Sequence, residues 1–178
     1  AGMITIEQTE LPDVLLIKPS VFEDFRGQYV ELYNEELYQR NNINVKFIQD
    51  DISVSTRGVL RGLHGDQETW KLVSCLQGKF YLVVLNYDPE SPAYGRWQGL
   101  SLSDTNRWQV LIPPKHGNGH LVLSEQAIFF YKQSTLYQGA EKQFTIAWND
   151  PQFKIWWPIN NPILSMRDAL VDKNHVAQ

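Results

Sequence analysis

The sequence predicts an all-β jelly roll, a β-sandwich closed into a barrel with a few short helices, built as one domain over residues 1–178. Two observations carry that expectation. Short apolar stretches with period-two alternation recur about every ten residues and are separated by Gly, Pro and Asn, the spacing of a sandwich or barrel and not of strands alternating with helices. The 178 residues, 43% of them apolar, supply a core without disulfide staples, and no tandem repeat, linker or low-complexity tract marks a second domain.

Taken in order, DVLLIK (residues 13–18) reads as a strand closed by Pro19. VFEDFRG follows as a turn that places Arg26 between strands, and QYVELY resumes the alternation. NEELYQRN is the one convincing helix: Asn34 can accept from the first free amides, and Glu35 and Glu36 suit the positive end of the helix dipole. Strand character returns in VKFIQDDISVS, GKFYLVVLNY, WQGLSLS, RWQVLIP, HLVLS and QAIFFYKQSTLY, with PESPAYG as a turn and PPKHGNGH as a loop. From Asp150 to Asp168 the chain is rich in Trp and Pro and reads as an irregular segment laid over the barrel.

The stretch Val59 to Val73 (VLRGLHGDQETWKLV) begins and ends as strand yet carries Arg61, His64, Asp66 and Lys71, polar groups that must find partners or face a cavity. His64 precedes a Gly65-Asp66 turn signal, which sets it at a strand end. Period two puts Lys71 on the strand face opposite Trp70 and Leu72.

Composition removes several classes of function. A net charge of −4 gives no global basic field, so nucleic acid is not expected as a partner, although a local basic pocket for a phosphate is compatible. The lone Cys75, inside the apolar LVSCL, argues against a disulfide framework or a cysteine metal cluster and fits a reducing, cytoplasmic setting. The first residues lack the basic and apolar regions of a secretory leader, and no stretch is long and apolar enough for a membrane span, so a soluble protein without a membrane partner is expected. There is no Gly-rich phosphate loop, no G-x-G-x-x-G and no G-x-S-x-G.

The candidate chemistry has alternatives at each position. His64 is of the type that serves as a general base near neutrality, or is a hydrogen-bonded rim histidine. Lys71 turned inward needs an anion or a developing oxyanion to compensate its desolvation; turned outward it is an ordinary surface lysine. Arg61 and Arg26 can each clamp a phosphate or carboxylate, or form surface ion pairs. Tyr131 shares a strand face with Phe129, as a buried phenol or as a proton donor at a pocket wall. Asp168 either caps a C-terminal turn or serves the site. His116 and His120, four apart, invite a metal reading, but the prolines and glycines around them remove the helix that would align them, and no metal is expected.

The ordered stretches LPDVLLIKPSVFEDFRG, FIQDDIS, GVLRGLH, KLVSCLQGKF, SPAYGRWQGLSLS, LIPP, HLVLSEQA, FFYK, WNDP, WWP and ILSMRD together resemble the dTDP-4-dehydrorhamnose 3,5-epimerase family of nucleotide-sugar epimerases over nearly the whole chain. The resemblance implies a cupin-type jelly roll, a homodimer, no metal or redox cofactor, and epimerisation of carbons beside the 4-keto group of a nucleotide-linked sugar. It also implies roles. His64 is the catalytic base, Asp168 orients it, Tyr131 donates a proton and Lys71 stabilises the enolate; Arg61 binds substrate, and Arg26 with Glu31 lies near the nucleotide.

Two departures stand out. PPKHGNGH replaces the family's PPGFAHGF, so Asn118 holds the family's histidine position while His116 and His120 occupy different places; Asn118 and His120 are expected to touch substrate. GKFYLVVLN puts Leu82 where the family carries an aspartate. The combination of LHGD, TWKLV and GNGH is similar to a branch acting on GDP-linked 4-keto heptoses in bacterial capsule synthesis. The alternatives are a 3,4-ketoisomerase of the same barrel type and an inactive nucleotide-sugar-binding jelly roll.

Overall fold

The computed structural model describes residues 3–174. Its elements in chain order are β1 (Ile4–Gln8), β2 (Leu15–Pro19), β3 (Val21–Asp24), β4 (Gly27–Val30), α1 (Glu35–Arg40), β5 (Gln49–Thr56), β6 (Leu60–Gly65), β7 (Lys71–Gln77), β8 (Lys79–Asn86), β9 (Trp97–Ser103), β10 (Gln109–Ile112), β11 (His116–Val122), β12 (Gln126–Gln133), β13 (Phe144–Thr145) and α2 (Met166–Val171). A six-stranded sheet runs β1-β2-β10-β7-β12-β5, a five-stranded sheet runs β13-β6-β11-β8-β9, and β3 with β4 forms a separate hairpin. The jelly-roll expectation is met. Among the described residues no helix is long and apolar enough to cross a membrane.

Both faces of the central strands are buried, which is why β8 reads as almost continuous apolar sequence. Phe80, Leu82 and Val84 point between the sheets and meet Leu16, Val73, Val110 and Phe129. Tyr81, Val83 and Leu85 point the other way, under Trp148, Phe153 and Trp157 of the C-terminal segment. The irregular Trp-rich segment therefore does cover the barrel. On the far side of the six-stranded sheet, Ile17, Leu72 and Leu111 pack beneath Tyr38 of α1, whose N-cap Asn34 accepts from Leu37 N at 3.1 Å.

The structure departs from the sequence reading in four places. VFED is a strand, not part of a turn: it pairs with GQYV, leaving Phe25 and Arg26 as a two-residue connection. MITIEQ, to which no strand was assigned, supplies β1 at the edge of the six-stranded sheet. The PPKHGNGH stretch becomes β11 from His116 onward. Its glycines answer to crowding and not to turning, since a Cβ on Gly119 would lie 2.9 Å from Leu63 Cδ2 and 3.2 Å from Arg61 O. Last, a second short helix, α2, follows Ser165, whose Oγ accepts from Asp168 N at 3.1 Å.

Candidate active site

A cavity of about 280 Å³ is lined by strands of both sheets and by the start of α2. Alternation decides what enters it. On β5, Asp51, Ser53 and Ser55 turn inward while Ile52 and Val54 are exposed. On β12, Phe129 and Tyr131 share one face, their rings 5.6 Å apart, as period two requires. Lys71 opens β7 on the cavity side, opposite in direction to the buried Leu72.

His64 stands at the end of β6, one residue before Gly65, and its Nε2 lies 2.6 Å from Asp168 Oδ1. Asp168 is 2% exposed, and its other oxygen accepts from Gly62 N at 3.0 Å. Burial pushes this carboxyl upward, but His64, the Gly62 amide and Ser165 together outweigh that and hold its pKa below the usual carboxylate value. An ionised carboxylate only accepts, so Nε2 is the nitrogen that donates here, and in the neutral ring the lone pair lies on Nδ1. Gly62 is required at this point: its φ is +131°, and a Cβ would sit 2.5 Å from Gly119 Cα and 2.6 Å from Asn118 O.

Asn118 lies directly across from His64 in the β6–β11 register. Its Oδ1 accepts from Lys71 Nζ at 3.4 Å, a contact that joins the two sheets, and the same ammonium lies 5.6 Å from the Tyr131 ring centre. Burial, reinforced by Arg167 and opposed by Asp66, lowers the Lys71 pKa. Tyr131 is pushed up to about 12 by burial and by the Asp51 charge opposite it on β5, so its phenol stays protonated at neutral pH. His120 is buried against Phe129, the two rings stacked at 4.0 Å and 10°.

Arg61 Nε donates to Ser55 Oγ at 2.9 Å at the cavity rim. Arg167, adjacent to Asp168, donates from Nε to Thr145 Oγ1 at 2.8 Å and from Nη1 to Gln143 Oε1 at 3.1 Å. Its Nη2 is buried without a partner, and so is Ser53 Oγ; both residues line the same cavity. Two guanidinium groups and a free hydroxyl lining one cavity suit an anion such as a diphosphate.

Seven of the nine site residues expected from sequence thus line one cavity: His64, Lys71, Tyr131, Asp168, Arg61, Asn118 and His120. Arg26 and Glu31 do not. Arg26 sits at the tip of the β3–β4 hairpin, paired with Asp24. Glu31 follows β4, with Oε1 buried and unpartnered. Asp66 is engaged by its own loop, accepting from Thr69 N and Thr69 Oγ1, each at 2.7 Å. Leu82 is fully buried between the sheets and does not line the cavity. His116 is held through Nδ1 against Pro114 O at 2.9 Å, outside the cavity.

Sequence reasoning missed Arg167 and Ser53, although both lie within stretches, ILSMRD and FIQDDIS, that marked the family resemblance. Chemically, the cavity holds a carboxylate-oriented imidazole on one sheet, a protonated phenol on the other, and an ammonium reaching between them. Such a set can remove a proton beside a carbonyl, hold the resulting oxyanion and return a proton to the opposite face.

The family model described as dTDP-4-dehydrorhamnose 3,5-epimerase matches residues 8–174. The dTDP-4-dehydrorhamnose 3,5-epimerase of Shigella flexneri is 39% identical over 169 residues, covering 93% of both chains. The enzyme of that name from Pseudomonas aeruginosa is 42% identical over 162 residues, 89% of each. The crystal structure of dTDP-6-deoxy-D-glucose-3,5-epimerase from Legionella pneumophila, in complex with dTDP-4-keto-L-rhamnose, superposes with a TM-score of 0.90 at 36% identity, covering 95% of this chain and 92% of that one. With the family matched over almost its whole length and the fold shared, this chain belongs to the dTDP-4-dehydrorhamnose 3,5-epimerase family of carbohydrate isomerases.

Proposed function

We propose that the protein epimerises a nucleotide-linked 4-keto sugar without a cofactor, at C3 and C5 or at C3 alone, through an enolate. The observation that carries this reading is the opposition of the Asp168-oriented His64 on one sheet to Tyr131 on the other, with Lys71 bonded across to Asn118. His64 Nδ1 takes the proton from a carbon next to the ketone, and the C–H electrons move into a C=C bond as the carbonyl oxygen becomes an enolate. The Lys71 ammonium meets that oxyanion in a site shielded from water, where a fixed donor is worth most. Tyr131 then protonates the same carbon from the opposite face and the carbonyl re-forms. Configuration inverts with no net redox change, and solvent returns a proton to the phenolate and takes one from the imidazolium.

Arg61, Arg167 and Ser53 would hold the diphosphate. The sugar nucleotide is a dTDP-4-keto-6-deoxyhexose or a GDP-4-keto-heptose, used for a bacterial surface polysaccharide; the LHGD, TWKLV and GNGH combination supports the second. A homodimer accounts for Arg26 and Glu31. The hairpin that carries Arg26 exposes Phe25 at 98% and Tyr29 at 70%, and edge strand β5 exposes Ile52 at 58%. Two copies that joined these apolar surfaces would cover them and would bring one protomer's Arg26 to its partner's cavity.

Incubation in D2O with dTDP- and GDP-linked 4-keto sugars, followed by NMR at C3 and C5, tests the reaction. Deuterium is expected at C3 and C5 or at C3 alone, and not with His64→Asn. A carbonyl that moves off C4 would identify a ketoisomerase. No exchange with any such sugar would leave only a binding function.

A further inference from the structure

His120 is a buried polar side chain without a protein partner. It is 4% exposed, stacks on Phe129, tilts against Phe80 at 5.2 Å, and makes no hydrogen bond among the described residues. It nevertheless lines the active-site cavity. Its ring nitrogens are not among the buried unpartnered atoms, so with the rest of the ring buried they are open to the cavity, where a ligand group can reach them. The ring is neutral: burial, then the charges of Arg61 and His64, push its pKa down to about 3. A neutral imidazole donates from one nitrogen and accepts at the other, so whichever nitrogen faces the cavity can pair with a sugar hydroxyl, which both donates and accepts, but not with a methyl group.

Register places that hydroxyl. Asn118 pairs with His64 and His120 with Arg61, so His120 lies one step along the sheet from the carbonyl end of the cavity, in the row of the arginine that faces the diphosphate. The step is about 7 Å, comparable to the span of a pyranose ring from its anomeric oxygen to the opposite one. We infer that His120 is a specificity-determining residue that holds a sugar hydroxyl on the ring edge next to the anomeric diphosphate, either the C2 hydroxyl or one on the C5 arm. This rests on the epimerase reading above and goes beyond it by assigning the enzyme to sugars that bear that hydroxyl. A site built to bond a hydroxyl rejects an analogue lacking it far more strongly than an apolar pocket rejects the converse.

Three probes, each carried on whichever nucleotide supports exchange, separate the two positions: a 4-keto-6-deoxyhexose, the same sugar without its C2 hydroxyl, and the same sugar with a C6 hydroxyl. Deuterium wash-in gives kcat/KM for each. Wild type should favour the sugar bearing the bonded hydroxyl by about 10⁴-fold over its deoxy counterpart, at C2 or at C6. In His120→Phe that ratio should shrink to within a few fold, and His120→Gln, which keeps a donor and an acceptor, should retain part of it. Circular dichroism confirms that each variant is folded, and the Gln variant carries the test if the Phe variant is not. A ratio unchanged in the folded variants, or a wild type indifferent to both hydroxyls, overturns the assignment while leaving the epimerase reading intact. No exchange with any probe overturns both.

Discussion

Replacing His120 by phenylalanine is expected to alter how stability depends on pH. Burial first, and then Arg61 and His64, push the ring's pKa from 6.5 down to about 3 in the folded chain. The unfolded chain therefore binds a proton below pH 6.5 that the folded chain refuses. Stability from the neutral ring is complete above 6.5 and is lost as the pH falls from 6.5 toward 3. Each pH unit in that window is worth about 1.4 kcal/mol, so acidification to pH 5 removes about 2 kcal/mol, and the whole window is bounded at about 5 kcal/mol. For a chain of this size, 2 kcal/mol corresponds to roughly 4–8 °C in Tm. Urea unfolding of wild type and His120→Phe at pH 8 and pH 5 reads the effect directly. The loss on acidification should be about 2 kcal/mol smaller in the variant. His64 and His116 are present in both proteins and cancel in the difference. Equal losses would refute the claim that the ring is buried and neutral.

Three other outcomes follow from the same geometry. Asp168→Asn still accepts from Gly62 but offers an amide N–H to His64 Nε2, which draws the lone pair away from the substrate; deuterium exchange should fall about 10²–10⁴-fold, with Tm changed by only a few degrees. Gly62→Ala must fit a Cβ 2.5 Å from Gly119 Cα at a φ of +131°, and denaturant unfolding should show a loss of at least about 2 kcal/mol; a stable variant would contradict the close strand crossing. Ile52→Lys places a charge in the exposed apolar surface of β5 and should shift sedimentation from dimer to monomer, whereas a wild type that is already monomeric at micromolar concentration counts against the paired assembly.

What the sequence disclosed was whatever alternation controls. Period two was enough to set Lys71 against Leu72 and Tyr131 beside Phe129, because in a sandwich the face a residue takes is a local property. Glycine was the weak point. In PPKHGNGH the same residues that signal a loop were there because neighbouring strands leave no room for a Cβ, and a sequence does not distinguish a glycine that turns from one that lets two backbones approach. The six-residue α2 is too short to show a helical period, so Arg167 was invisible as a cavity residue even though Asp168 beside it was assigned a role by resemblance. Arg26 lies outside the cavity of its own chain, paired with Asp24 at the tip of the β3–β4 hairpin, a position that period two does not define.

The route by which Asp168 reaches His64 explains why a helix so far along the chain belongs to the site. Gly58 O accepts from Ile163 N at 2.9 Å and Leu60 N donates to Ile163 O at 3.0 Å, so the C-terminal segment is stitched alongside the strand that carries His64. Two residues later Ser165 caps α2, and the first turn of that helix delivers Arg167 and Asp168 into one cavity. The Asp168 carboxylate then binds the β6 backbone at Gly62 with one oxygen and the His64 imidazole with the other, which ties the strand and the ring to one carboxylate. Arg167 and Asp168 are adjacent residues in one helix turn, so a displacement of this segment that removed Asp168 from His64 would also withdraw Arg167 from the cavity.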